Sequence, residues 1–152
     1  MRKLIIILIC VLSLFSCKTG HVNQTIAKKR EGLWIEKYSL DSAHYKSIGK
    51  YKNDDPIKKW RYYLDGKIIK REKYKGNTCS TRFYHENGKL QSEGKTRLDT
   101  SAKYAHWFYT GNWNFYDDKG KLLVVRKYDD GELLSEENKI TEPSTKADQK
   151  QN

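Results

Sequence analysis

Cysteine and proline are scarce in this 152-residue chain, at 3 and 2 residues. No segment beyond residue 30 carries a sustained apolar stripe at helical spacing, which excludes a helix-based fold. Cys10, Cys17 and Cys79 are never paired at metal-ligand spacing, and His21, His44, His85 and His106 lie scattered, with no His-Glu-x-x-His among them. No metal site and no cofactor site is expected. A phosphate loop, a dinucleotide fingerprint and a Ser-His-Asp order are all missing. Asp54-Asp55, Asp117-Asp118 and Asp129-Asp130 are adjacent pairs, which on a strand point to opposite faces and so make no acid/base couple; turns explain them without chemistry. The chain therefore reads as a non-enzyme. Its longest apolar run, Leu4 to Phe15, has 12 residues, against the roughly 20 that a membrane-spanning helix takes.

That run follows Arg2 and Lys3 and ends at Ser16-Cys17, the layout of a secretory leader with a small residue before its cleavage site. Leu14-Phe15-Ser16-Cys17 resembles the bacterial lipobox, which implies a signal peptide over 1–16 and lipidation of Cys17. Two or more acyl chains hold a protein stably at a membrane, since each buried CH₂ contributes about 0.8 kcal/mol. Lys18, following the cysteine, differs from the acidic inner-membrane retention signal, so the outer membrane of a bacterial envelope is the expected location. With Cys10 removed and Cys17 thioether-linked, Cys79 has no partner for an intramolecular disulfide and reads as a semi-buried strand residue.

Beyond residue 16 there are 28 basic and 19 acidic side chains, a charge of +9. The basic residues form no recognition-helix pattern, so nucleic acid is not an expected partner; an anionic envelope polymer, headgroups or another envelope protein is. Most of the lysines read as solvated outward faces of strands.

All 4 tryptophans, all 11 tyrosines and 3 of the 4 phenylalanines lie between Glu31 and Glu136. This marks one hairpin-repeat domain over 31–136, preceded by a lipidated cysteine and polar tether (17–30) and followed by a disordered polar tail (137–152). Within the domain the order of elements recurs. Trp60-Arg-Tyr62-Tyr63 runs to Asp65-Gly66-Lys67 and closes at Tyr74; Thr81-Arg-Phe83-Tyr84 runs to Asn87-Gly88-Lys89; Trp113-Asn-Phe115-Tyr116 runs to Gly120-Lys121 and closes at Tyr128. A degenerate copy opens at Trp34 and closes at Gly49-Lys50-Tyr51. Alternating aromatics followed by a turn glycine that can take positive φ describe a β-hairpin, with Gly66, Gly88 and Gly120 as the structural turns. A lone hairpin is marginal in water, so the units must stack. Alternation puts Trp60 with Tyr62, and Trp113 with Phe115, on one face, with Tyr63 and Tyr116 on the other. Trp34, Trp60, Trp107 and Trp113 either fill the sheet or include an exposed binding stripe.

The pattern Trp-x-[Tyr/Phe]-Tyr-x-x-x-Gly-Lys resembles the MORN-repeat variant family, found in small bacterial lipoproteins and in proteins described as antitoxins. The resemblance implies an all-β fold of antiparallel β-hairpin repeats stacked into an elongated single-layer sheet, a binding or scaffolding role, and no catalytic residues. The stretch 97–111 is extra to the repeat: either a lengthened hairpin that packs on its neighbours, or a recognition site in which Tyr104, Trp107, Phe108 and Tyr109 form an aromatic anchor. The expected function is a membrane-anchored, non-catalytic binding module; the alternative is an immunity or antitoxin-like protein that neutralises a toxin at the membrane.

Overall fold

Reversal of an extended chain within two residues favours positive φ at one or both, and the short loops here supply it. Asp65 (φ 47°) and Gly66 (φ 80°) form such a turn, as do Asn53 (φ 52°) with Asp54 (φ 72°) and Asp130 (φ 43°) with Gly131 (φ 88°). The longer loops at 85–89 and 117–121 end on glycines in the same region, Gly88 at 81° and Gly120 at 91°. In the second of these, Asp117 Oδ1 accepts from the amides of Lys119 (2.9 Å) and Lys121 (2.7 Å). Those amide donors hold its carboxyl below the usual range.

Joined by these turns, the computed structural model, which describes residues 21–101 and 105–139, is a meander. Its strands are β1 (Gln24–Ile26), β2 (Lys29–Leu40), β3 (Ala43–Lys52), β4 (Asp55–Leu64), β5 (Lys67–Lys75), β6 (Thr78–Tyr84), β7 (Leu90–Asp99), β8 (His106–Tyr116), β9 (Leu122–Asp129) and β10 (Glu132–Asn138). They form one open antiparallel sheet of ten strands in which spatial order equals chain order. The expected all-β stack of hairpins is thus the architecture found.

The repeat is visible in the irregularities as well as the strands. After Tyr62, Phe83 and Phe115 the register slips at the same place in each unit, leaving one extra residue in the returning strand. A second irregularity recurs at Gly49 and Gly94, opposite the start of the aromatic strand. There Trp60 lies over Gly49 and Trp113 over Gly94, and each indole N–H donates to the carbonyl of the next residue, Lys50 (3.2 Å) and Lys95 (3.0 Å). Only Trp60, Trp113 and Cys79 are fully buried apolar residues among those described. A buried indole covers about 200 Å², or about 5 kcal/mol at 25 cal/mol/Å² as an upper bound, so these two clasps dominate the hydrophobic stabilisation of a one-layer sheet.

Aromatic contacts extend the clasps along the same face. Trp34 meets Tyr51 at 5.7 Å, Tyr51 meets Trp60 at 4.7 Å, and Tyr109 stacks on Trp113 at 4.0 Å. Between the clasps the Glu72 carboxylate accepts from the hydroxyls of Tyr62 (2.6 Å) and Tyr74 (2.8 Å) and pairs with Lys70 (2.9 Å). Burial, reinforced by Glu72, pushes both tyrosines well above their ordinary range.

Three expectations change in detail. Strand β1 and the start of β2 occupy part of the stretch read as tether, because Arg30 is fixed by its amide (2.9 Å) and guanidinium (3.2 Å) on Asp54 and lies 3.8 Å over the Tyr51 ring. At the other end β10 runs to Asn138, past the expected boundary at 136. Cys79 is fully buried rather than semi-buried, since its side chain shares the packed face with Thr81.

Candidate functional site

Strict alternation along strands gives the sheet two unlike faces. Trp60 is flanked in sequence by Lys59 and Arg61, and Glu72 by Arg71 and Lys73; when the indole and the carboxylate turn to the packed face, the cations turn to the other. Pairing then lines them up. Arg61 stands directly opposite Arg71, Arg71 opposite Arg82, and Arg82 opposite Glu93. One step along the strands, Lys59 stands opposite Lys73, Lys73 opposite Ser80 and Ser80 opposite Lys95.

These two rows floor a hollow of about 880 Å³ on the basic face, a volume within the ordinary range of ligand sites. Six of its lining residues are cationic: Lys59, Arg61, Arg71, Lys73, Arg82 and Lys95. All six are exposed. Thr110, Asn112 and Asn114 of β8 continue the lining with neutral hydroxyl and amide groups. Trp60 borders the hollow only through its backbone side, its ring being buried on the far face. Of the cations, Arg82 is paired with Glu93 at 2.9 Å, and Arg71 lies 5.2 Å from the Tyr84 ring centre. Among the described residues, Lys59, Arg61, Arg71, Lys73 and Lys95 make no ion pair.

The residues singled out from sequence are distributed differently. Gly66, Gly88 and Gly120 occupy the turns assigned to them. The extra stretch lengthens the β7–β8 hairpin by the pairs from Thr96–Tyr109 to Asp99–His106. Trp107 packs edge-on against Tyr74 at 5.5 Å and Tyr109 joins Trp113 and Tyr128, so both extend the aromatic face while remaining partly exposed. Phe108 points to the opposite face, beside Gly131. The strand therefore splits Trp107 and Tyr109 from Phe108, and no single aromatic anchor forms from the three. Tyr104, like Cys17, lies outside the described residues. His85 Nε2 lies 3.0 Å from the Tyr116 carbonyl and His44 Nδ1 lies 2.9 Å from the Ser39 hydroxyl. Among the described residues no three His, Cys, Asp or Glu converge as a metal-holding group.

The arginine row is what sequence reasoning missed. Reflection about the Gly76-Asn77 turn brings Arg71 onto Arg82, a relation readable from spacing alone. The extra residue in β5 hides the matching relation to Arg61, because simple reflection about Asp65-Gly66 lands on Lys70. No protein-family model, no curated protein and no solved structure matches this chain.

Proposed function

We propose that this chain is a bacterial envelope lipoprotein, anchored through a lipidated Cys17 at the outer membrane, whose MORN-variant-like sheet is a non-catalytic module for binding an anionic envelope partner. The observation that carries this reading is the gathering of cations around one hollow. The packed face buries Trp60 and Trp113, while six lysines and arginines collect around one hollow on the other. Structure alone does not require that arrangement, since like charges directly opposed across strands destabilise a sheet. A binding role compensates that cost, because an anionic partner neutralises both rows at once.

The test uses full-length protein in cells. Cys17→Ser abolishes acyl labelling if the anchor is right. A photo-crosslinker placed at Ser80, inside the hollow, captures envelope material, and replacing Lys59, Lys73 and Lys95 by Gln abolishes that capture while labelling at Cys17 persists. Labelling that survives Cys17→Ser refutes the anchor; capture that ignores the three lysines refutes the binding face.

A further inference from the structure

We propose that the Arg61–Arg71–Arg82 ladder is the recognition site for a linear acidic polysaccharide lying across the strands; this rests on the reading of the basic face as a binding surface. Neighbouring strands lie about 4.8 Å apart, so the backbone positions of three arginines recur along a line of about 10 Å. A single small anion does not need such a row. A polymer with regularly spaced anionic groups does. Guanidinium is also the side chain suited to bidentate capture of oxyanions, and here arginine recurs on three strands in succession, Arg61 and Arg71 without an ion pair among the described residues and Arg82 through the donors that Glu93 leaves unused.

The remainder of the hollow narrows the class. Beyond Arg82 the row meets Glu93, whose carboxylate is occupied by Arg82 (2.9 Å) and by the Tyr116 hydroxyl (3.2 Å), and then Asn114. The lysine row ends at Lys95 and Thr110. A ligand crossing from β4 to β8 thus passes from charge to hydroxyl and amide groups, the sequence of contacts suited to a chain carrying both carboxylates and sugar hydroxyls. Single-stranded nucleic acid is recognised largely by stacking on aromatic rings. Trp60, the one aromatic residue among those lining the hollow, has its ring buried on the opposite face, and the rings nearest the arginine row are already engaged, Tyr84 by Arg71 at 5.2 Å and Tyr116 through its hydroxyl on Glu93. A bilayer surface is broad, whereas the three directly opposed arginines lie on the floor of a hollow.

The deciding experiment is calorimetric titration of the full chain with size-fractionated alginate oligosaccharides over a range of salt. An equally charged oligothymidylate and vesicles containing phosphatidylglycerol serve as competing probes. Alginate is expected to bind, with affinity that falls as salt rises. Arg71→Gln should weaken it about tenfold, the loss of one charge-assisted contact. Arg71→Lys, which keeps the charge and loses the fork, should fall between. Thermal melting separates recognition from architecture: Arg71→Gln should melt no lower than the parent, because it removes two like-charge oppositions. A lower melting point would make the ladder structural and overturn the proposal. Preferential, ladder-dependent binding of oligothymidylate or vesicles overturns the polysaccharide assignment and leaves the anionic binding face standing. If none of the three probes binds, both readings fall.

Discussion

Gly49→Ala is the most discriminating single change in this molecule, because two effects of opposite sign meet at that residue. Gly49 has no positive φ, and alanine in a strand interior is ordinarily favoured over glycine by roughly 0.5–1 kcal/mol. A Cβ at this position, however, would stand 1.9 Å from Trp60 Cδ2 and 2.1 Å from Cε2. Ordinary carbon contacts begin near 3.5 Å, so the indole must retreat by more than an ångström. It is 2% exposed, faces Tyr51 at 4.7 Å and donates to the Lys50 carbonyl at 3.2 Å. Retreat sacrifices that hydrogen bond and much of the packing. Loss of a buried tryptophan costs about 3–5 kcal/mol, which sets the scale for Gly49→Ala. Urea denaturation followed by far-ultraviolet circular dichroism measures it. Gly66→Ala is the control: its Cβ meets nothing within 4 Å, and its φ of 80° leaves a left-handed penalty of about 1–2 kcal/mol. The double variant Gly49→Ala/Trp60→Ala should be no less stable than Trp60→Ala alone, since the new methyl then has room. A single Gly49→Ala as stable as the parent, or a loss that adds in full to that of Trp60→Ala, would refute the clasp.

Tyr62 and Tyr74 give the sheet an alkaline limit. Their folded-state pKa values lie above the unfolded value near 10, so their contribution is present below about pH 10 and is lost as pH rises beyond it. Tyrosinate absorbance and circular dichroism should change together for these two residues; ionisation of every tyrosine in an intact sheet would contradict it. Lys58 holds φ 60° where the later repeat has Gly111 at 66°, and Lys58→Gly should be neutral or stabilising by up to about 1 kcal/mol, whereas Gly111→Lys should cost about that much in the same denaturation assay. Glu72→Ala strands two tyrosine hydroxyls and should cost about 2–4 kcal/mol, and an unchanged melting temperature would show that water replaces the carboxylate freely.

The hairpin architecture and the turns at Gly66, Gly88 and Gly120 were legible because their signals are local. Asp65-Gly66 and the alternating Trp60, Tyr62 pair announce their roles within a few residues. What escaped depends on strands that meet only after folding. Gly49 read as an ordinary closing glycine, and only the register shows it, like Gly94, lying under an indole. Strand β1 was hidden by its polar sequence; Gln24 and Thr25 are held by pairing with Arg30 and Glu31, not by burial. The extra residue in β5, a shift of a single position, separated Arg61 from its row in any reading by symmetry. The aromatic run Trp107-Phe108-Tyr109 looked like one anchor because a linear sequence does not display the two sides of a strand.

Spatial order that copies chain order has a consequence for how the molecule comes apart. Each strand hydrogen-bonds only to the strands made just before and just after it, so backbone disruption passes from neighbour to neighbour like an opening zip, braced across the sheet by side chains such as Trp107 of β8 on Tyr74 of β5. The two clasps sit inward, Trp60 on β4 and Trp113 on β8, while β10 is exposed throughout its length. Fraying therefore begins at the margins and halts at a tryptophan seated on a glycine, which leaves the basic hollow, bounded by those two indole-bearing strands, in the last part of the sheet to yield.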